Sequence, residues 1–190
     1  MTAAEIPTTA ETATLPRYDR ATIIFHWLTA LCVVVLFVTA FWWNALPGGT
    51  PLRKGLQAFH VSTAIFFTVV IVARFVWRWT GGRQLAAANS GMLDWATKAM
   101  HFTLYVLLIT QVALGFLLRW AQGEEFWFFN WFYIPEILGP NKPWSKVWEW
   151  WHNANGWAII YLAGAHAIAA LLHHYVARDG VLKRMLPGRG

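Results

Sequence analysis

One cysteine, Cys32, stands in 190 residues. That excludes an internal disulfide framework, a zinc finger and any iron–sulfur cluster ligated by cysteine. Charge is scarce as well, at 13% of residues, against about 25% in an ordinary soluble domain. None of the nine acids falls centrally in an apolar run. This argues against paired-carboxylate catalysis within the membrane and against a carboxylate-rich zinc or di-iron site. The first residues lack a basic stretch followed by an apolar one, so they do not read as a signal peptide. Alternating strand patterns and internal repeats are missing. The formal charge of +6 raises the question of nucleic acid, but there is no recognition-helix motif or basic array, and no nucleic-acid partner is expected.

What is present is apolar surface. Hydrophobic residues make up 57% of the chain, with 14 Trp and 13 Phe. Four long apolar runs cover residues 21–43, 56–79, 95–120 and 151–177. Each is long enough to cross a hydrocarbon core of about 30 Å at about 1.5 Å per residue. In lipid, a spanning backbone must satisfy its own hydrogen bonds, so the expectation is an all-α membrane protein, a bundle of four transmembrane helices. Trp42, Trp43, Trp77, Trp79, Trp120 and Trp151 fall near run ends, where aromatic belts lie. Residues 1–17 read as a disordered tail, 18–187 as the membrane domain and 188–190 as a second tail.

Four spans put both termini on one side. That side carries Arg17, Arg20, Arg78, Arg83, Lys98, Arg178, Lys183, Arg184 and Arg189, against Arg53, Lys54, Arg119, Lys142 and Lys146 on the other. The positive-inside rule then makes the termini cytoplasmic. The long connection 122–150 contains FWFFNWFYIP at 126–135. It reads either as an interfacial segment anchored in the headgroups by its aromatics or as a lid or docking surface on the outer side.

Seven histidines, His26, His60, His101, His152, His166, His173 and His174, all lie within or at the edges of the four runs. Ionisable residues at membrane depth are costly and point to function. His152 and His166 are 14 residues apart, about 40° short of four full turns, so one helix offers two imidazoles on nearly one face, about 21 Å apart. His26 lies early in the first run and His60 early in the antiparallel second, at opposite depths. Two pairs follow: His60 with His152 on the outer side, His26 with His166 on the inner. Each pair suits the two axial positions of a haem iron, which leaves no open site and makes an electron-transfer centre. His173 matches the depth of His26 as well, but the shorter spacing from His152 favours His166. Arg74 is a charge well inside the second run, 14 residues after His60. It reads either as the partner of a haem propionate or as a snorkelling side chain that joins Arg78 at the interface. Gly115, Gly156 and Gly164 allow close approach of a porphyrin or of a neighbouring helix.

The stretches YDRATIIFHW (18–27), FHVSTAIF (59–66), HFTLYVLLITQVALG (101–115), WHNANGWAIIYLAGAHAIAALLHHY (151–175) and RMLP (184–187) together resemble the bacterial cytochrome b561 family. The resemblance spans nearly the whole chain and implies a multi-pass protein of the bacterial inner membrane. It implies a four-helix bundle with two b haems between the helices, ligated from the first, second and fourth helices by His26, His60, His152 and His166. One branch of that family is superoxide oxidase, which takes electrons from superoxide at the outer side and passes them to ubiquinone. The compact length resembles that branch. The same resemblance implies a catalytic place for His173 near the quinone, with His101, His174 and Trp27 as further quinone candidates. The alternative is an electron-transfer subunit that serves a separate dehydrogenase or a periplasmic redox protein. Arg53, Lys54, Lys142 and Lys146 suit attraction of an anionic donor, while Glu124, Glu125, Glu136 and Glu149 oppose it.

Overall fold

The hydrocarbon core offers no hydrogen-bond partner to a backbone, and the chain answers with helices wherever it is apolar. A computed structural model describes residues 16–87 and 90–187. Four helices carry the fold: α1 (Arg20–Asn44), α2 (Pro51–Thr80), α3 (Gly91–Gln122) and α4 (Lys142–Leu172). All four are long and apolar enough to cross a membrane. The expected tails at 1–15 and 188–190 lie outside the described residues. Arg17, assigned to the tail from sequence, is tied in, its carbonyl accepting from the Arg83 guanidinium.

Each start has a local cause. Asp19 caps α1 by accepting from the backbone N–H of Thr22 at 2.9 Å. Thr50 caps α2, with Pro51 at its first position, where a missing N–H costs nothing. Asn141 caps α4 and accepts from the N–H of Trp144. α4 therefore begins nine residues before the apolar run that announced it. At the end of α3, Gly123 adopts a left-handed conformation (φ 67), and a Cβ there would approach Pro140 to 2.7 Å. Only glycine answers both demands.

α1 packs along α2 and α3 along α4. The N–H of Tyr18 donates to the carbonyl of Arg184, which places the first and last described segments at one end of the bundle, the terminal end. At the opposite, distal end, a short hairpin of β1 (Phe126–Phe128) and β2 (Phe132–Ile134) interrupts the α3–α4 connection. Its register pairs Phe126 with Ile134 and Phe128 with Phe132. The connection is thus partly strand, which the sequence did not signal. Between the two ends lies the apolar core, built from Cys32 of α1, Phe67 and Ile71 of α2, Leu108 of α3 and Ile159 of α4.

Candidate haem-ligating layers

Core and histidines share one helical register. Ile159 is seven residues from both His152 and His166, Phe67 is seven from both His60 and Arg74, and Leu108 is seven from both His101 and Gly115. Seven residues are about two turns and 10.5 Å. A polar layer therefore lies about two turns to either side of the core on several helices at once.

In the distal layer the rings of His60 and His152 face each other, centroids 6.5 Å apart and planes at 69°. Nδ1 of His60 lies 3.0 Å from the Leu36 carbonyl and 3.2 Å from Thr39 Oγ1. The Thr39 hydroxyl proton is directed to the carbonyls of Val35 and Leu36. Nδ1 must therefore be the donor, and the Nε2 lone pair of His60 is left free. That is the tautomer and the outer hydrogen bond that a metal-ligating imidazole needs. His152 has Nε2 at 3.2 Å from the Gln111 amide nitrogen, and its Nδ1 is buried without a partner. Gln111 is oriented by Asn155, whose side-chain amide donates to Gln111 Oε1 at 2.7 Å and to the Leu107 carbonyl at 2.9 Å. Gly115 makes room for the ring, since a Cβ there would reach 3.3 Å from His152 Cε1.

In the terminal layer His26 and His166 lie 6.3 Å apart with planes at 68°. Arg74 turns inward to this layer. Its Nε donates to the Tyr105 hydroxyl at 3.0 Å, and Nη2 lies 3.4 Å from His26 Nδ1. Of the two sequence readings, snorkelling beside Arg78 is not the one adopted. His101 joins the same layer from α3, with its ring 5.2 Å from that of His166.

These spacings test the fit of a ligated iron. Two imidazoles sharing one ion, each at a metal–nitrogen distance of about 2 Å with its ring centre about 1.1 Å behind the nitrogen, would lie about 6.2 Å apart. His26/His166 and His60/His152 meet that spacing. His101/His166 falls short of it by about 1 Å. Among the described residues no group of three or more His, Cys, Asp or Glu side chains is disposed to hold a lone metal ion. Each layer thus brings together one pair of imidazoles at the spacing that a shared ion would need.

The remaining predicted residues lie outside the two facing pairs. His173 is not brought to His26; its Nδ1 pairs with the carboxylate of Asp179. His174 packs edge-on against Tyr175. Trp27 donates its indole N–H to the Met185 carbonyl at 2.7 Å, and its ring touches that of His26. Gly156 faces Gln111, and nothing approaches Gly164. Gln111, Asn155, Thr39 and Tyr105 escaped the sequence reading. Their signal was available for the first two, polar amides inside otherwise apolar runs, where interhelical hydrogen bonding is the default expectation.

Four spanning helices, with facing imidazoles at two depths, define a multi-pass membrane protein of the haem-carrying class. The chain belongs to the prokaryotic cytochrome b561 family, which matches residues 17–188. It is 30% identical to cytochrome b561 homolog 2 of Escherichia coli over 179 residues, covering 92% of this chain and 94% of the relative. It is 25% identical over 176 residues to the Yersinia pestis protein named "Probable superoxide oxidase CybB" (90% and 96% covered). It is also 24% identical over 213 residues to a Cupriavidus necator protein named "Probable Ni/Fe-hydrogenase B-type cytochrome subunit" (90% and 84% covered). Membership makes the chain a haem b electron-transfer protein of the prokaryotic inner membrane.

Proposed function

We propose that the chain carries electrons across the inner membrane on two b haems, one held by His60 and His152, the other by His26 and His166. The observation that carries this reading is the ring spacing of 6.5 and 6.3 Å in the two layers. Bound haem supplies reversible one-electron carriage, and a bis-imidazole site keeps other ligands off the iron. The protein's own part is to fix the imidazoles. Leu36 and Thr39 hold the His60 tautomer, Gln111 and Gly115 shape the place of His152, and Arg74 offers a guanidinium to a carboxylate in the terminal layer. The membrane domain is 18–187, and the nine-to-five excess of basic residues puts the termini in the cytoplasm.

The reaction we infer is superoxide oxidation at the distal, outer face coupled to ubiquinone reduction at the terminal, inner face. Two superoxide ions and one ubiquinone, with two protons, give two dioxygen molecules and one ubiquinol. The likeness to the Yersinia pestis protein over 90% of the chain supports it. Quinone meets the chain near His173, with His101, His174 and Trp27 as further contacts. His101 is the exposed member of the terminal layer. A second reading, an electron-transfer subunit for another redox protein, draws on the hydrogenase-subunit relative and on the exposed aromatics of the distal hairpin, Trp131 among them.

Stopped-flow mixing of the purified haem-loaded protein with superoxide, with and without ubiquinone, separates the two. The superoxide reading expects haem reduction in the absence of any partner and one quinol per two superoxide ions. Haem that stays oxidised, in protein that copurifies with a dehydrogenase or soluble cytochrome, supports the subunit reading instead.

A further inference from the structure

The last described turns line a cavity whose basic wall has no part in the electron path proposed above, although His174, a quinone candidate, borders it. α4 gives way at Leu172 to a π turn, His173–Ala177. The chain then reverses through Arg178 (φ 52) and Gly180 (φ 78). The reversal brings Lys183 back beside His174. With Tyr175, Arg178 and Gly180 they line a cavity of about 260 Å³.

Asp179 is the single acid in the sequence after Glu149, and it is committed elsewhere. One carboxylate oxygen pairs with His173, and the other accepts from the N–H of Val181 at 3.0 Å. Arg178 and Lys183 have no acidic partner among the described residues. A guanidinium, an ammonium, an imidazole and a phenol around one polar cavity suit phosphate oxygens.

A second feature says which phosphate. Ile168, Leu171, Leu172 and Tyr175 are all exposed, and they follow one another at i, i+3, i+4 and i+7, a single helix face. This apolar row runs along the last turns of a membrane-spanning helix and ends on Tyr175, in the wall of the cavity. An inorganic phosphate gains nothing from such a row, whereas the acyl chains of a phospholipid lie along it while the headgroup enters the cavity. Basic pockets at helix ends are where anionic headgroups bind, and tyrosines mark the interface.

We infer that the cavity is a binding site for an anionic phospholipid, with Arg178 and Lys183 on the phosphate and the acyl chains along Ile168, Leu171 and Leu172. The inference does not depend on which donor the haems serve, and it rests on Arg178 and Lys183, which the proposed quinone contacts do not include.

The test uses haem-loaded protein in bilayers of equal phosphatidylglycerol and phosphatidylcholine, with retained lipid counted by native mass spectrometry after mild extraction. The site predicts retention of phosphatidylglycerol over phosphatidylcholine by at least about fivefold. Arg178→Gln with Lys183→Gln brings the ratio to that of the bulk bilayer with an unchanged haem spectrum, and Arg178→Lys alone keeps the preference. Millimolar inorganic phosphate leaves the lipid in place. Equal retention by the unaltered protein, or a preference that survives the double substitution, overturns the site. Displacement by inorganic phosphate overturns the lipid in favour of a soluble ligand. Should the double variant not fold, salt at about 0.5 M applied to the unaltered protein must collapse the preference, and persistence overturns the proposal.

Discussion

Asp19 accepts four hydrogen bonds, from the Thr22 N–H and hydroxyl, from the Trp77 indole at 2.9 Å and from the Arg83 N–H at 2.9 Å. One carboxylate thus joins the start of α1 to the end of α2 and the segment after it. Burial alone raises this group, but the bonds from Thr22, Arg83 and Trp77 outweigh it and hold the carboxyl well below the ordinary carboxylate range. A depressed pKa means stability that is fully present above the unfolded value of about 3.9 and lost as the pH falls through the folded value. Asp19→Ala is expected to cost about 1–2 kcal/mol at pH 7, the upper part of the range for a lost N-cap. The gap between variant and unaltered protein, followed by thermal unfolding, should narrow as the pH drops below about 4. A gap that stays constant through that range contradicts the assignment. Gly115 is the second residue with a sharp expectation. Its absent Cβ is matched by the ring of His152, so Gly115→Val should lower distal haem occupancy, while Gly164→Ala, with open space around it, should leave the haem content intact. Retention of both haems in Gly115→Val contradicts the close packing.

At the scale of elements, one hydroxyl ties the hairpin to α2. Ser62 of α2 is buried. It donates to the Trp127 carbonyl at 3.1 Å and accepts from the Phe129 N–H at 3.0 Å. Phe129, a bulky residue at φ 45, is thereby fixed in the left-handed region and packs on Phe59, next to His60. Ser62→Ala removes two hydrogen bonds of about 1 kcal/mol each and should speed amide exchange in 126–134 by about tenfold to thirtyfold. Exchange confined to its former rate contradicts the role. The four helices were legible because unbroken apolar runs of spanning length allow little else. The hairpin was not, because FWFFNWFYI has neither strand alternation nor a glycine at the turn, and its conformation depends on a serine 64 or more positions away. The early start of α4 was hidden for a related reason. KPWSKVWEWW is aromatic but interspersed with charge, so hydropathy passes over it, whereas the Asn141 cap and Pro143 mark it.

For the whole molecule, the organising quantity is the 14-residue interval that repeats as His152–His166 and His60–Arg74 and, on α3, as His101–Gly115. It sets two polar layers astride one apolar core, and with antiparallel helices it makes pairs without any further device. That part was readable, since helical period and depth follow from residue numbers. Lateral packing does not, which is why the Gln111–Asn155 pair, the approach of His101 to His166 and the choice of Tyr105 as partner for Arg74 emerged only with the neighbouring helices in place. The direct test of the two layers is haem content per chain, by pyridine haemochrome assay with redox titration, in the unaltered protein and in His26→Ala, His60→Ala, His152→Ala and His166→Ala. Two haems are expected in the first and one in each variant. His60→Ala and His152→Ala should leave the same surviving centre, and His26→Ala and His166→Ala the other. Two haems in all four variants, or the same survivor in His26→Ala and His60→Ala, would contradict the pairing.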